Sequence, residues 1–579
     1  MDNREIAEVF EDISRLLEAK GDSSFKVRAY RNAARAIAHH PVELRQLVAE
    51  GADLRRIPGI GEAIALKARE LVSTGRLEYY ERLKSEMPAG ILDLMALPGV
   101  GPRTAVRLSS DLGLKSVAEL EQALESGRLS GVSGLGEKTA ETLLRTIRSR
   151  RTRDIRIPIT DVLPVIEEIR DRMCRSPGVF RLEVAGSVRR FRDTVGDVDI
   201  LATSEQPGDT IDRFVQLDLA REVLAKGETK ATVLTDTGLQ VDLRIVPPEQ
   251  FGSLLQYFTG SREHNIALRE HARRLGLSLS EYGIADVESG EVVTYADEES
   301  FYARLGMQFI PPEMRENQGE IQLALRDALP RTITVDDIRG DLHVHTDWSD
   351  GKASVYEMAA AARDRGYEYI AITDHSIGLG MMSGMDGEKL RRQRNEIEDA
   401  MARLPGFRIL RGVEANIRSD GSIDLPDEDL AELEIVVAGV HGTMNQSESR
   451  MTERVICALR NRHVDVLAHP SGRLLGRREP VQMDIAAVIR AARDSGTMLE
   501  INAMPDRLDL KDTAVAAARE ANVLMTIGTD AHAIHHLDHV DYGVRLARRA
   551  WCGKQHIANT LSASSLLDRL DREPASRGG

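Results

Sequence analysis

The second half of the chain contains apolar runs of strand length that alternate with amphipathic runs rich in Ala, Arg and Glu. The apolar runs are GDLHVHT, which begins at Gly340, and then YEYIAITDHS, FRILRGVEANI, EIVVAGVHGTM, VDVLAHPSG, TMLEINAM and VLMTIGTDAH. Strands that alternate with helical segments predict βα units, whose strands lie parallel in one sheet or barrel. The pattern therefore predicts a (β/α) barrel in this part of the chain.

Most of these runs end in side chains that can bind a metal ion. Nine residues lie at or just after such an end, or in the following loop in the case of Asp350: His343, His345, Asp350, His375, Glu414, His441, His469, Asp530 and His532. Barrel active sites gather at the carboxyl ends of the strands. One such histidine alone would most simply be a hydrogen-bonded core residue. Nine together predict a metal centre, and imidazole with carboxylate suits Zn²⁺, Mn²⁺ or Fe²⁺.

Three glycine turns recur near the amino terminus, in IPGIG from Ile57, LPGVG from Leu97 and VSGLG from Val132, and each precedes an amphipathic helical pattern. Glycine permits the tight turn and leaves backbone N–H groups open to an anion at the start of the next helix. Ordinary helix ends also use glycine, but three copies resemble the helix-hairpin-helix motif, which binds DNA phosphates without reading sequence. The glycines of these turns are Gly59, Gly61, Gly99, Gly101, Gly134 and Gly136.

The net charge of −15 at first argues against a nucleic-acid partner, but the charge is unevenly distributed. Residues 1–153 carry 25 Lys and Arg against 22 Asp and Glu, a net charge of +3, so the remainder carries −18. Bound cations would offset part of that negative charge if the acidic clusters are metal sites. The stretch RTIRSRRTRDIR at 145–156 is basic, which fits either phosphate contact or a solvated linker.

A second acidic pattern lies in GDVDILAT, where Asp197 and Asp199 alternate along a predicted strand and therefore project from one face. Asp242 lies between apolar residues in a second candidate strand, LQVDLRIV. A buried carboxylate is costly unless a positive charge neutralises it, and two Mg²⁺ ions would do so. An edge strand with solvent-facing aspartates would produce a similar pattern.

The segments GSVRRFRDTVGDVD and YFTGSREHNIALRE together resemble family X DNA polymerases, the class of polymerase beta, over most of residues 1–318. The resemblance implies a metal-binding triad of Asp197, Asp199 and Asp242. It also implies that dNTP binding involves residues in both segments. These are Gly186, Ser187 and Arg190 at the triphosphate, Tyr257, Phe258 and Gly260 at the sugar, and Asn265 and Arg269 near the base or template.

The segment FKVRAYRNAARAIAHHP and the first glycine turn resemble the small lyase domain of the same family. Lys67 corresponds to its Schiff-base lysine, and Lys26 and Tyr30 correspond to supporting positions. A lysine in that role needs a depressed pKa. The alternative is an exposed lysine on an amphipathic helix. The resemblance therefore implies a possible 5′-deoxyribose-phosphate lyase activity.

The nine ligand candidates resemble the PHP (polymerase and histidinol phosphatase) domain over about 337–570, with all nine of its ligand positions filled. By that resemblance, one ion would be bound by His343, His345, Glu414 and Asp530. A second would be bound by His441 and His469, with Glu414 bridging. A third would be bound by Asp350, His375 and His532. A trinuclear Mn²⁺ or Zn²⁺ centre of this kind lowers the pKa of bound water and holds a phosphoryl group.

These patterns predict a multidomain α and α/β protein. The expected order is a helical lyase-like domain (1–84), helix-hairpin-helix fingers (85–153), a nucleotidyltransferase palm (154–246), a thumb (247–318), a linker (319–336) and a barrel-like PHP domain (337–572). The segment after Pro574 is expected to be disordered. We expect a monomer without a membrane span or signal peptide, in the cytoplasm and nucleoid-associated when on DNA. Cys174, Cys457 and Cys552 form no CxxC site, and each is expected to be a buried small side chain.

The leading hypothesis is a DNA repair polymerase that fills short gaps by template-directed addition of dNTPs, with gapped or nicked DNA as its partner. Its PHP domain would act as a 3′–5′ exonuclease, AP endonuclease or 3′-phosphatase. One alternative is a small-molecule phosphatase, similar to histidinol phosphatase, with an accessory DNA-binding arm. Another is a DNA end-binding scaffold without catalysis. The twelve metal-ligand candidates in two sets disfavour the scaffold.

Overall fold

The computed structural model describes residues 3–38, 44–49, 51–57, 59–95, 100–126, 128–129, 144, 156–175, 178–377 and 384–571. The chain divides into two compact units, Met1–Ile155 and Arg156–Gly579. No described helix is both long enough and apolar enough to cross a membrane.

The first unit is helical. Its core forms because apolar residues recur at helical spacing, as in Ile6, Phe10, Ile13 and Leu17, which are all buried. Its described helices are α1 (Asn3–Lys20), α2 (Ser24–Ala38), α3 (Leu44–Ala49), α4 (Glu62–Thr74), α5 (Glu78–Ser85), α6 (Ile91–Met95), α7 (Pro102–Ser110) and α8 (Val117–Glu125).

The second unit begins with a five-stranded sheet of order β2-β4-β7-β6-β5, in which only the central pair β4 and β7 is parallel. Its strands and the flanking pair β1 and β3 are β1 (Ile157–Pro158), β2 (Val179–Val184), β3 (Thr194–Val195), β4 (Asp197–Ser204), β5 (Ala220–Lys226), β6 (Lys230–Thr235) and β7 (Gln240–Ile245). The helices of this region are α9 (Ile159–Cys174), α10 (Gly186–Arg189) and α11 (Pro207–Val215).

A smaller helical region with a three-stranded antiparallel sheet follows, with its own core around Phe301 and Tyr302. Its elements are α12 (Phe251–Thr259), α13 (Arg262–Arg274), β8 (Leu277–Leu279), β9 (Ile284–Asp286), β10 (Val292–Val293), α14 (Glu298–Arg304) and α15 (Glu320–Ala324). The segment 319–336, for which we predicted a linker, contains α15, and Ile321 packs into this core.

Seven parallel strands in sequence order then form the predicted barrel. The two edge strands lie side by side, because His345 donates its backbone N–H to Ala531 O at 2.9 Å, so the barrel is nearly closed. Its strands are β11 (Gly340–Val344), β12 (Tyr369–Ile372), β13 (Arg408–Asn416), β14 (Ile435–Gly439), β15 (Val466–Leu467), β16 (Met498–Asn502) and β17 (Met525–Gly528).

The strand residues of β12, β14 and β16 are buried throughout, as expected for parallel strands covered by helices. The barrel helices are α16 (Val355–Asp364), α17 (Gly387–Arg403), α18 (Asp427–Leu430), α19 (Glu448–Leu459), α20 (Ile485–Ser495), α21 (Asp512–Glu520), α22 (Val540–Arg549) and α23 (Ala563–Leu570).

The burial predicted for the cysteines is wrong for two of the three. Cys552 is buried, whereas Cys174 and Cys457 are exposed. Both exposed thiols lie near the ends of amphipathic helices, α9 and α19, at positions that do not face the core. Burial of a cysteine therefore depends on its place around the helix, which its residue type does not reveal.

Candidate metal centres

The barrel brings all nine predicted ligands to the carboxyl ends of its strands. His343 lies in β11 and Glu414 in β13, and the others lie in the segments that follow β11, β12, β14, β15 and β17. Because parallel strands end at the same edge of the barrel, residues far apart in sequence meet there. Among the described residues, three groups place all their ligand atoms within 4.8 Å of one another. They are His343, His345, Glu414 and Asp530; His345, Asp350, His375 and His532; and His375, Glu414 and His441.

The Glu414 carboxylate lies at the centre of this cluster. Its Oε1 is 2.8 Å from His441 Nε2 and 2.9 Å from His469 Nε2, and its Oε2 is 2.8 Å from His375 Nδ1. Oε2 also lies 3.4 Å from His343 Nε2. The first predicted ligand set coincides with one of the groups, and Glu414 joins two of them. Glu414 would thus be a ligand common to two ions, whereas His469, predicted in the second set, belongs to none of the three groups.

Burial and opposite charges shift the pKa values of these side chains in both directions. Burial lowers the pKa of His343, but the carboxylates of Glu500, Asp530 and Glu414 outweigh it and raise that pKa well above its usual value. Burial and the neighbouring imidazoles of His375 and His532 lower the pKa of His345 to about 4.

The two buried carboxylates of the cluster, Glu414 and Asp530, both have lowered pKa values. Burial raises their pKa, but the surrounding imidazoles hold the pKa of Glu414 and of Asp530 well below the usual range. Both therefore remain negative at neutral pH and can attract a cation.

Several atoms at the centre of the cluster are buried and make no hydrogen bond to the described protein. They include His343 Nε2, His345 Nδ1 and Nε2, His375 Nδ1 and Glu414 Oε2. Buried polar atoms without partners are costly in an interior. Nitrogen and oxygen donors that converge in this way suit divalent first-row cations. The donor set therefore fits a bound metal.

Sequence reasoning missed the residues that orient these ligands. Glu500 Oε1 lies 2.6 Å from His343 Nδ1, and its Oε2 accepts the backbone N–H of His469 at 2.6 Å. Asp374 accepts hydrogen bonds from Thr346 and from Gln393 beside the same edge. A carboxylate on the second ring nitrogen fixes the orientation of a ligand histidine. An acidic residue within the apolar run TMLEINAM was the available signal for Glu500.

Gly439 allows two ligand histidines to approach the end of β14. A Cβ at this position would lie 2.7 Å from His441 Cε1 and 2.9 Å from His469 Cε1. Real Cβ atoms do not come so close to other heavy atoms, so any larger residue must displace the rings. At Gly442, three residues later, a Cβ would have no neighbouring heavy atom within 4 Å.

In the palm sheet, Asp199 lies directly opposite Asp242 in the parallel pair β4 and β7, and Asp197 is on the same face of β4 as Asp199. Asp242 Oδ2 accepts a hydrogen bond from Gln240 Nε2 at 2.9 Å, and its Oδ1 lies 3.7 Å from Lys230 Nζ. Burial, followed by the charges of Asp197 and Asp242, raises the pKa of Asp199 to about 7. The three carboxylates thus share one electrostatic site, although they do not form a group within the 4.8 Å limit met by the barrel residues.

The predicted triphosphate residues adjoin this site. Gly186 begins α10 with a φ of 62°, and a Cβ there would lie 3.3 Å from Asp199 Oδ2. Ser187 is half-buried in the same short helix. The Arg190 guanidinium is engaged by the protein, because it donates to Thr259 O and lies 3.1 Å from Glu316 Oε1. Burial lowers the pKa of Arg190.

The predicted sugar and base residues form one packed segment at the end of α12 and in α13. The rings of Tyr257 and Phe258 meet edge to face at 5.3 Å. Asn265 donates to Tyr257 O at 2.8 Å, and Arg269 Nε donates to Asn265 O at 3.1 Å. Gly260 ends α12 with a φ of 68°. The structure thus brings these residues together with Arg190, whose Nη1 would lie 3.2 Å from a Cβ at Gly260.

In the first unit, Lys67 Nζ lies 4.8 Å from the ring centre of Tyr79, which stacks on the Tyr30 ring at 6.0 Å. Burial raises the pKa of Tyr30 above its usual value. Lys26 forms an exposed ion pair with Asp22 at 3.1 Å. The structure therefore brings Lys67 and Tyr30 to one aromatic cluster.

Two of the three glycine turns are partly described. Gly59 has a φ of 93°, and Gly61 precedes the first residue of α4 without a side-chain cap. Gly101 precedes α7, whose first residue is Pro102. The first N–H groups of both helices are therefore not capped by the side chain of the preceding residue. Gly99, Gly134 and Gly136 lie outside the described residues.

Family models match four parts of the chain. The models are described as helix-hairpin-helix domain (residues 1–77), SAM-like helix-hairpin-helix tandem (91–149), DNA polymerase beta thumb (254–316) and PHP domain (341–503). These matches follow the same order as the regions predicted from the sequence.

One curated relative matches nearly the full length of the chain. The DNA polymerase/3′-5′ exonuclease PolX of Bacillus subtilis is 38% identical over 570 residues, 98% of each chain. Probable phosphatases match only a part. One from Caldanaerobacter subterraneus is 30% identical over 38% of this chain and 86% of its own, and one from Acetivibrio thermocellus is 33% identical over 33% of this chain and 78% of its own.

Proposed function

The chain belongs to the family X DNA polymerases that carry a PHP domain, and from this premise we propose how its two centres divide the work. It is a DNA repair polymerase with a PHP-associated exonuclease or phosphoesterase activity. The palm would fill short gaps from dNTPs. The barrel would process DNA ends by 3′–5′ exonuclease, AP endonuclease or 3′-phosphatase chemistry.

In the palm, Asp197, Asp199 and Asp242 would hold two divalent cations, which supply charge neutralisation at the 3′-hydroxyl and the triphosphate when bound. The pKa of Asp199 is raised to about 7, so a proton and a cation compete for this carboxylate near neutral pH. Positioning and charge then carry most of the rate enhancement.

The residues beside this triad would bind the incoming nucleotide. Gly186, Ser187 and Arg190 would bind the triphosphate at the start of α10. Tyr257, Phe258 and Gly260 would lie against the sugar and disfavour a ribose 2′-hydroxyl. Asn265 and Arg269 would face the base or the template. The packing of Arg269 on Asn265 and of Asn265 on Tyr257 O supports a single preformed surface.

In the barrel, the nine ligand candidates would hold up to three ions. Metal chemistry of this kind activates a water molecule and clamps a phosphoryl group. His343, His345, Glu414 and Asp530 would form one site, Glu414, His441 and His469 a second, and Asp350, His375 and His532 the third. Glu500 keeps the His343 ring oriented through its 2.6 Å contact to Nδ1.

Divalent metals follow from both domains, and we propose Mg²⁺ for the palm and Mn²⁺ or Zn²⁺ for the barrel. Gapped or nicked DNA and dNTPs are the proposed partners, and the uncapped starts of α4 and α7 would bind DNA phosphates. We propose a monomer that acts in the cytoplasm and associates with the nucleoid when bound to DNA.

The observation that carries this proposal is the convergence of buried ligand atoms, several of them without a hydrogen bond, at one end of the barrel in a chain with a separate acidic palm. The test compares two double variants on a one-nucleotide gapped duplex, with and without dNTPs, in Mg²⁺ and in Mn²⁺. Asp197→Ala with Asp199→Ala should abolish extension and retain end processing. His343→Ala with His345→Ala should abolish manganese-dependent removal of 3′ nucleotides and retain extension.

Each double variant serves as the control for the other, because each should lose one activity and keep the second. Undiminished extension in the palm variant would refute the polymerase centre. Undiminished DNA degradation in the barrel variant would refute the nuclease centre. Loss of both activities in either variant would show that the two centres are not chemically separate.

A lyase activity is proposed for Lys67, since its ammonium group lies beside an aromatic cluster in the lyase-like region. Borohydride should trap the wild-type protein on a nicked abasic duplex, and Lys67→Ala should reduce trapping to background. Lys84→Ala, whose lysine pairs with Glu81 on the surface at 2.9 Å, is the control and should trap like wild type. Equal trapping on wild type and Lys67→Ala would end this assignment.

The second candidate function is small-molecule phosphatase activity of the barrel. The partial matches to probable phosphatases favour it for this domain alone. Turnover of histidinol phosphate should be compared with turnover of 3′-phosphorylated DNA by the same preparation. A strong preference for the small molecule would favour the alternative.

A further inference from the structure

A buried arginine of the barrel reaches the turn beside the palm triad. Arg549 is the last residue of α22, and its side chain is only 3% exposed. Its guanidinium is held by Asp512 of the barrel, with Nη2 2.6 Å and Nε 3.0 Å from Asp512 Oδ2. Its Nη1 donates to the backbone carbonyl of Arg190 and lies 3.2 Å from Glu316 Oε1. Arg549 therefore connects the barrel to the palm and to the thumb segment.

The same Glu316 oxygen also binds the side chain of Arg190. Arg190 Nε lies 3.1 Å from Glu316 Oε1, and the Glu316 side chain is only 15% exposed. The backbone of Arg190 is thus held directly by Arg549, and its guanidinium is held through a carboxylate that Arg549 shares. The Arg190 guanidinium also donates to Thr259 O, so Arg549 supplies two of the contacts that fix Arg190: one directly to its backbone carbonyl and one through Glu316.

Two of the three residues that follow Arg190 also contact the barrel. Phe191 is 1% exposed, and its ring stacks on Tyr542 of α22 at 5.9 Å. Arg473 Nη1 lies 3.1 Å from Asp193 Oδ2. Arg190, Phe191 and Asp193 are therefore held from the barrel side, immediately after α10.

We infer that Arg549 is a positioning residue for nucleotide incorporation, through which the barrel holds Arg190 in the direction needed to bind the incoming triphosphate. This inference rests on the proposed nucleotide-binding role of Arg190. A guanidinium is suited to the task because its rigid fork can contact a carbonyl and two carboxylates at once, whereas a lysine presents a single point charge. Neither the barrel's metal ligands nor its hydrolytic chemistry enters this connection.

The test measures KM for dNTP and kcat for gap filling in the full-length protein. Arg549→Gln should raise KM for dNTP roughly five- to tenfold, inside the roughly 2- to 30-fold span for residues that link two sites, with a smaller effect on kcat. Arg549→Lys should give an intermediate KM. Arg190→Gln should raise KM by at least as much, and combining it with Arg549→Gln should add little, because both changes act on one contact.

Arg548→Gln is the matched control. Arg548 precedes Arg549 in the same helix and also reaches the thumb segment, with Nε 3.0 Å from Glu313 Oε1, but it has no contact with Arg190 among those that the structure describes. Its variant should keep the wild-type KM for dNTP. Barrel hydrolysis in Mn²⁺ should be unchanged in every variant, which verifies that α22 and α21 are folded. If hydrolysis falls in Arg549→Gln, that variant is not folded correctly, and the KM for dNTP of the charge-retaining Arg549→Lys is used instead.

A wild-type KM in a folded Arg549 variant would overturn the inference while leaving the function of Arg190 intact, provided that Arg190→Gln raises KM. An equal rise in Arg548→Gln would also overturn it, since the effect would then be general loosening of the domain contact. A wild-type KM in Arg190→Gln would instead refute the nucleotide-binding role of Arg190, and with it the premise of the inference.

Discussion

At the scale of single residues, the barrel cluster and the palm triad differ in the charges that surround their buried carboxylates. In the barrel, imidazoles surround Glu414 and Asp530 and keep their pKa values low. In the palm, Asp199 faces other carboxylates, so burial and their charges raise its pKa to about 7. The barrel carboxylates are ready to bind a cation at any pH near neutrality, whereas Asp199 is only partly ionised there.

This difference predicts a pH dependence of the magnesium requirement. A raised carboxyl pKa means that Asp199 becomes neutral as the pH falls through about 7, and a neutral carboxyl binds a cation weakly. Its ionised fraction falls roughly tenfold from pH 8 to pH 6, so the Mg²⁺ concentration for half-maximal gap filling should rise by about the same factor.

Gap filling titrated with Mg²⁺ at several pH values checks this prediction. Because the proton and the cation compete, saturating Mg²⁺ should restore most of the rate at pH 6. A half-maximal Mg²⁺ concentration that stays constant between pH 6 and pH 8 would contradict it.

At the scale of elements, the position where a barrel strand ends, and not the length of the strand, determines where its ligand candidates lie. β15 has only two residues, Val466 and Leu467, yet it delivers His469 to the cluster. β14 ends at Gly439, where the rings of His441 and His469 occupy the space that a side chain would need. The rings of His441 and His469 thus limit the side chain that the end of β14 can carry.

Gly439→Ala should therefore disable the barrel centre without unfolding the palm. A methyl group 2.7 Å from His441 Cε1 must displace a ligand ring, and a shift of about 1 Å can cost roughly 100-fold in rate. Hydrolysis of 3′ nucleotides in Mn²⁺ should fall by about that factor while extension in Mg²⁺ persists. Gly442→Ala, at a position open to a Cβ, should retain both activities, and equal hydrolysis by the two variants would contradict the explanation.

At the scale of the whole molecule, the second unit joins two catalytic regions by buried ion pairs. Arg549 and Arg473 of the barrel contact Glu316 and Asp193, which lie in the thumb segment and the palm. Breaking such a pair leaves a buried charge without its partner, which is strongly destabilising. The palm and the barrel are therefore coupled in stability even though their chemistries are separate.

Metal binding should stabilise the whole second unit through the barrel cluster. A ligand present at about 100 times its Kd adds about 2.7 kcal/mol, which corresponds to a rise in Tm of roughly 3 °C for a cooperative unit that spans Arg156–Gly579. Thermal unfolding of chelator-treated protein should show that rise on addition of Mn²⁺. His343→Ala with His345→Ala should show little rise, and an equal rise in both proteins would place the stabilising ion elsewhere.

The local pattern of the sequence was sufficient to predict the barrel and the convergence of His, Asp and Glu side chains at its strand ends. Apolar runs determine where strands lie, and parallel strands bring their carboxyl ends to one edge, so a His or Asp after each run must join the others there. The alternation in DVDIL placed Asp197 and Asp199 on one face of a strand for the same reason. Such inferences need only the residue order within one element.

Only the tertiary structure revealed what surrounds those residues. Glu500 meets His343 across 157 positions in sequence, and Arg549 meets the carbonyl of Arg190 across 359 positions. The exposure of Cys174 and Cys457 likewise depends on how their helices pack. Contacts between elements depend on relative placement in space, which the periodicity of one element does not contain. For this reason the sequence by itself determined which side chains share a strand face or a strand end, whereas the contacts that orient those side chains and join the two regions emerged from the fold.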